Sequence, residues 1–132
     1  MAVPEHVRDL LRSPARIALV GASSAPEKYG NIIFKDLAGR GHAVLPVNPS
    51  ASMIEGQPAY ASVADVPRPI DIVNVVVPPR ASLALARSLD PGICGVIWFQ
   101  PGSFDDQVVQ EATARFETVI AGDCIMVVAR TL

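Results

Sequence analysis

The spacing of apolar residues along this chain alternates between a helical period and short β-type runs. Val3, Val7, Leu10 and Leu11 fall at helical intervals, with Glu5, Arg8, Asp9 and Arg12 on the other side, which predicts a short leading helix over residues 1–14. Ser13-Pro14 should end it, because the residue before proline avoids helical geometry. Ile17 to Val20 is an apolar run too short for a helix, and the first strand is read from about Arg16 to Val20. A second helix begins near Gly30, with Ile33, Phe34, Leu37 and Ala38 as its buried stripe and Lys35, Asp36 and Arg40 facing water. Gly39 and Gly41 bracket its end, where a left-handed cap is expected. The second strand, His42 to Val47, stops at Asn48-Pro49-Ser50, and Pro46 should sit at its end because it donates no ladder bond.

Between Ala51 and Pro69 the pattern weakens. Ile54 to Tyr60 reads as irregular with turns, and Ser62 to Val66 as a helical turn closed by Pro67. Ile70 to Val77 is β-branched almost throughout and predicts a central strand, ended by Pro78-Pro79. The helix that follows carries Ala81, Ala84, Leu85 and Leu89 on its expected inner face. Gly95 to Phe99 is read as the fourth strand, followed by the loop Gln100-Pro101-Gly102. Ser103 and Asp106 then resemble a capping box for a helix bearing Val108, Val109, Ala112 and Phe116. Thr118 to Ala121 is the fifth strand, and Ile125 to Ala129 a final helical turn or strand. Strands that alternate with helices imply an α/β fold with a doubly wound, mainly parallel five-stranded sheet and helices on both faces, a three-layer αβα arrangement.

Size and charge narrow the functions such a fold would serve. At 132 residues the chain fits one domain spanning 1–132, with no linker or repeat. A net charge of −2 without a basic block leaves no footprint for nucleic acid or an anionic membrane. No apolar run approaches the roughly 18 residues that cross a bilayer, and Met1 to Asp9 lacks the layout of a signal peptide, so a soluble, cytoplasmic protein is expected. Cys94 and Cys124 stand far apart with only His6 and His42 beside them, which argues against a metal site and for reduced thiols.

The candidate chemistry lies after the first strand. Gly21, Ala22, Ser23 and Ser24 carry little side chain, so a ligand can approach their backbone N–H groups, and the helix beyond adds a positive dipole end suited to phosphate. In doubly wound folds the ligand sits beyond the carboxyl ends of the strands. There Lys28 supplies charge, Asn48 a donor and acceptor for a ribose or base, and Arg80 a phosphate partner. The same residues also read as a tight turn without a ligand, a solvated lysine, an ordinary Asn-Pro turn and a surface arginine. The loop Gly21-Ala-Ser-Ser-Ala-Pro lacks a GxGxxG pattern, Asn48 stands where a dinucleotide fold places a carboxylate, and there is no GxxxxGK[ST] loop. Standard NAD and ATP sites are therefore disfavoured.

The chain resembles the small stand-alone CoA-binding proteins, which are similar to the CoA-binding domain of the succinyl-CoA synthetase α subunit. The resemblance rests on Val20-Gly21-Ala22-Ser23 with Lys28 and Gly30, on Gly41 to Pro49, on Ile97 to Gly102 and on Asp123-Cys124. It implies a Rossmann-like fold and coenzyme A as ligand. The pyrophosphate would lie against Gly21, Ala22, Ser23 and the helix start at Gly30, with Lys28 and Tyr29 beside it. Val47, Asn48 and Pro49 would face the adenosine, and Val77 and Pro78 the adenine or pantetheine. The resemblance supports a binding, carrier or sensor module with CoA or acyl-CoA as small-molecule ligand and no catalytic residue assigned. It leaves open a partner enzyme or a homo-oligomer. In the related ligases the phosphorylated histidine lies in a second domain that this sequence does not contain. An NAD(P)-binding regulator and a small acyl-CoA enzyme using Cys124 are the alternatives, and Cys124 also reads as a small buried hydrophobe.

Overall fold

The computed structural model describes residues 3–132; Met1 and Ala2, at the head of the expected leading segment, lie outside the described residues. In chain order the elements are α1 (Glu5–Arg12), β1 (Arg16–Val20), α2 (Tyr29–Gly39), β2 (Ala43–Val47), β3 (Met53–Ile54), β4 (Gln57–Pro58), β5 (Ile72–Val75), α3 (Pro79–Ser88), β6 (Val96–Phe99), α4 (Asp106–Arg115), β7 (Val119–Ala121) and α5 (Ile125–Arg130). Short 3-10 turns lie at Val63–Asp65 and Pro91–Ile93.

The main sheet has five strands in the order β2-β1-β5-β6-β7, all parallel. Period-two alternation splits their side chains between two cores. Ile17, Leu19, Ile72 and Trp98 pack with Val7 and Leu11 of α1, Ile33 and Leu37 of α2 and Ile125 of α5. Ala18, Val73, Val75, Ile97 and Phe99 pack with Ala86 of α3 and Val108 and Ala112 of α4. The result is a Rossmann-like three-layer α/β fold. From β1 the chain passes through α2 to β2 on one side, then returns to β5 on the other. The strand order therefore reverses between β1 and β5, where such folds open a crevice.

Local chemistry accounts for most boundaries. α2 ends in a Schellman motif: the N–H of Gly41 (φ +95°) bonds Ala38 O at 3.0 Å, and that of His42 bonds Leu37 O at 3.2 Å. Pro46 is inside β2, opposite Leu19, rather than at its end. Its carbonyl accepts from Tyr60 N at 2.9 Å on the outer side of β2, so the missing N–H removes nothing from the ladder to β1.

Three stretches differ from the sequence reading. The expected irregular segment contains a β3–β4 hairpin, turned by Glu55 (φ +49°) and Gly56 (φ +78°). Positive φ at both central positions marks a type I′ turn. On α3 the buried residues are Ser82 and Ala86, followed by Leu89, while Ala81 and Ala84 are exposed. Alanine fits either face, and the Ser82 hydroxyl escapes the cost of burial by donating to Val77 O at 3.3 Å. The α4 cap is Asp105, whose side chain accepts from Val108 N at 2.9 Å, not Ser103.

Candidate functional site

Three neighbouring cavities line the carboxyl ends of the strands. The first, about 370 Å³, lies between the end of β2 (Val47, Asn48, Pro49) and a wall formed by Val63, Val77 and Leu85. The second, about 390 Å³, is walled by Ala22, Ser23, Lys28, Tyr29 and Gly30. These two share Gly21, Asn48 and Val77. The third, about 80 Å³, is lined by Tyr29, Val76, Gln100, Pro101 and Cys124, and shares Tyr29 and Val76 with the second. Together they form one track across the crevice: an apolar cleft, a stretch rich in backbone N–H groups, and a narrow chamber ending at a thiol.

The middle stretch is shaped by bonds to carbonyls. Gly21 N–H is already spent on Val47 O at 3.1 Å, extending the β1–β2 ladder into the loop. Asn48 donates from Nδ2 to Ala22 O at 2.9 Å and accepts Ser50 N at 2.7 Å, so its amide ties two loops together. Asn31, buried in the first turn of α2, donates from Nδ2 to Ser23 O at 2.9 Å. Across a planar trans peptide the N–H points opposite to the carbonyl. Pinning Ala22 O and Ser23 O therefore turns the N–H groups of Ser23 and Ser24 away from those amides. The Ser23 hydroxyl accepts from Ala25 N at 3.0 Å, fixing the turn. At the head of α2 the first intrahelical donors are Asn31 and Ile32, both bonding Lys28 O, so the N–H groups of Tyr29 and Gly30 have no helical acceptor. Such donors, with the Lys28 ammonium close by, suit a phosphate or pyrophosphate.

The thiol chamber rests on Gln100, which is 3% exposed. Its Oε1 accepts from Ile125 N at 2.9 Å and from Asn74 Nδ2 at 3.2 Å, and its Nε2 donates to Cys124 Sγ at 3.3 Å. Trp98 Nε1 holds the same turn through Asp123 O at 2.8 Å. One glutamine thus fixes the β7–α5 connection over the end of β5.

Ten of the sequence-derived candidates line this track: Gly21, Ala22, Ser23, Lys28, Tyr29, Gly30, Val47, Asn48, Pro49 and Val77. Pro78 and Arg80 do not. Pro78 serves as the N-cap residue of α3, and Arg80 lies exposed in its first turn. Sequence reasoning missed Val76, Leu85 and the Ala61–Val63 wall, because each is an ordinary apolar or small residue until the fold brings it to the crevice. Both histidines lie at the opposite end of the sheet. His6 Nε2 is 3.3 Å from Thr118 Oγ1, and His42, just before β2, accepts Ala15 N on Nδ1 at 3.0 Å. Burial, and more weakly the Arg40 charge, hold His42 below its usual pKa. Cys94 also stands away from the track, and burial pushes its thiol up to about 11. Among the described residues no group of three or more His, Cys, Asp or Glu side chains is placed to hold a metal ion, and no helix is long and apolar enough to cross a membrane.

Comparison with known proteins adds independent findings. A family model described as a CoA binding domain matches residues 15–130. An uncharacterized protein of Bacillus subtilis, YneT, is 30% identical over 122 residues, 92% of this chain and 90% of that protein. The alpha subunit of the ADP-forming acetate–CoA ligase II of Pyrococcus furiosus is 34% identical over 96 residues, but this chain spans only 21% of that subunit. Among solved structures, a conserved hypothetical protein from Pyrococcus furiosus superposes with a TM-score of 0.80 at 43% identity, over 86% of this chain and 97% of that one.

Proposed function

Because this chain belongs to the CoA-binding domain family, we propose that it binds coenzyme A or an acyl-CoA as a binding, carrier or sensor module, with no catalytic residue assigned. The observation that carries this is the adjacency of the three cavities, which share Gly21, Asn48 and Val77 and then Tyr29 and Val76 as walls. CoA has the matching sequence of parts: a flat base, a pyrophosphate and a flexible arm ending in sulfur. The adenine would take the apolar cleft below Val63 and Leu85, and the pyrophosphate the N–H groups of Ser23, Ser24, Tyr29 and Gly30 with Lys28. The pantetheine would run past Tyr29 and Val76 to Cys124.

Thermal shifts with CoA, acetyl-CoA, NAD, NADP and ATP test this. A ligand at a hundredfold excess over its dissociation constant stabilises a fold by about 2.7 kcal/mol. The expected result is a shift with CoA compounds alone, reduced in Lys28→Ala. A shift with NAD or NADP and none with CoA would replace this reading with an NAD(P)-binding regulator.

A second reading, covalent capture at Cys124, is favoured by one observation: its side chain lines the terminal chamber. Exchange with CoA disulfide would join Sγ to the pantetheine sulfur and release the other CoA as its thiol. Intact-mass measurement after incubation with CoA disulfide decides it, since an adduct absent from Cys124→Ser supports capture and no adduct excludes it.

A further inference from the structure

The β3–β4 hairpin stands beside the head of α2, outside the cavity lining. Its first turn residue, Glu55, holds a left-handed backbone (φ +49°), a conformation in which Asn or Gly is the usual occupant. A glutamate in that position lacks a local reason, whereas its side chain has a distant one. Glu55 Oε2 accepts from Asn31 Nδ2 at 2.9 Å, and Oε1 lies 3.8 Å from Lys35 Nζ. Asn31 is 1% exposed, and the same Nδ2 donates to Ser23 O at 2.9 Å. The two hydrogens of one amide therefore link the hairpin tip to the loop over the crevice, and the bond to a carboxylate is the stronger, charge-assisted kind. With Nδ2 anchored from outside, the Asn31 side chain has one orientation, which fixes Ser23 O and, through the peptide plane, the direction of Ser24 N–H.

We propose that Glu55 is a positioning residue for the ligand: through Asn31 it holds the Ser23–Lys28 loop in its phosphate-receiving shape. The consequence for affinity rests on the CoA reading above; the consequence for loop order does not. The hairpin is thus a strut for the site, although none of its residues lines a cavity there.

The test compares Glu55→Asn and Glu55→Gln with wild type. Asn suits the turn but is one carbon shorter and gives up the bond to Asn31, whereas Gln keeps an oxygen at the same reach. Hydrogen–deuterium exchange of the Ala25 and Lys28 amides, which bond Ser23 Oγ and Ala25 O in the ligand-free protein, and calorimetric titration with CoA are the two measurements. Glu55→Asn should exchange about tenfold faster at those amides and bind CoA about tenfold more weakly, while Glu55→Gln, which keeps the bond without its charge, falls between it and wild type. Wild-type exchange in Glu55→Asn would overturn the proposal, as would faster exchange with CoA affinity intact. Equal losses in both variants would overturn it too, by assigning the effect to the charge beside Lys35. A wild-type protein that takes up no CoA would overturn the functional reading alone, and the exchange data would still decide whether Glu55 holds the loop.

Discussion

A Cβ on Gly30 would overlap the carbonyl oxygen of Gly21, and a Cβ on Gly21 would in turn overlap the carbonyl oxygen of Val76. The head of α2, the end of β1 and the exit of β5 are thus stacked backbone on backbone. Glycine at these positions serves the packing of protein on protein, and Gly21 also needs it for its φ of +98°. Gly21→Ala and Gly30→Ala should each destabilise the fold by about 3 kcal/mol or more, since backbone cannot move aside as a side chain can. Gly39, in the last turn of α2 with nothing within 4 Å of its missing Cβ, is the contrast. Gly39→Ala should raise stability by about 0.5–1 kcal/mol. Urea unfolding of the three variants checks the order.

Ligand binding is better tested where the backbone is not at stake. Lys28→Ala should weaken CoA by about tenfold while leaving the unfolding midpoint near wild type, because the side chain is exposed in the free protein. The loss should shrink as salt rises, as screening removes what the ammonium contributed. Titration calorimetry at low and high salt reads both effects.

The two thiols should separate cleanly. With its pKa raised to about 11 by burial, Cys94 has only about one part in a thousand as thiolate at pH 8. Cys124 lines the narrow chamber at the end of the track. Alkylation followed by peptide mass analysis should mark Cys124 first, and saturating CoA should slow that labelling while leaving Cys94 unchanged. Labelling of Cys94 first, or no protection by CoA, would contradict the placement of the pantetheine.

His42 makes stability depend on pH. Its Nδ1 accepts from Ala15 N, so protonation breaks that bond, and its folded pKa lies below the unfolded value of about 6.5. Between those values the unfolded chain holds the extra proton. The contribution is therefore complete above about pH 6.5 and is lost as pH falls through the folded pKa. Urea midpoints should fall further between pH 7.5 and 5.5 in wild type than in His42→Gln.

The sequence made the strand–loop–helix unit at Ile17 to Leu37 visible because each part has a local signal: a β-branched and leucine run, small residues, then a helical stripe. The Gly41 cap was visible for the same reason. What stayed hidden depends on partners far along the chain. Met53-Ile54 and Gln57-Pro58 are two-residue strands with too little pattern to show as a hairpin, and Glu-Gly does not advertise a type I′ turn as Asn-Gly does. Asn31 carries no local signal in the sequence. Only the fold shows its amide bonded to residues 8 and 24 positions away. The face of α3 went astray because alanine at 81, 84 and 86 fits inside or outside equally well, and the decision fell to what it packs against. The thiol chamber was half visible. Cys124 and the Gln100 loop each carry a signal in the sequence, but their hydrogen bond crosses from the loop after β6 to the turn before α5.

Pro46 and Tyr60 bear on how this chain behaves among other proteins. An open edge of a sheet offers a row of free donors and acceptors to which a foreign strand can attach, the first step toward aggregates. On the β2 side that row is interrupted: position 46 has no N–H to offer, its carbonyl is occupied by Tyr60 N, and Asn48 N is spent on Tyr60 O. On the far side, β7 presents only three residues before the turn at Gly122. The margins of the sheet thus give a passing strand little to grip, and the chain exposes no long template for fibrils at either edge.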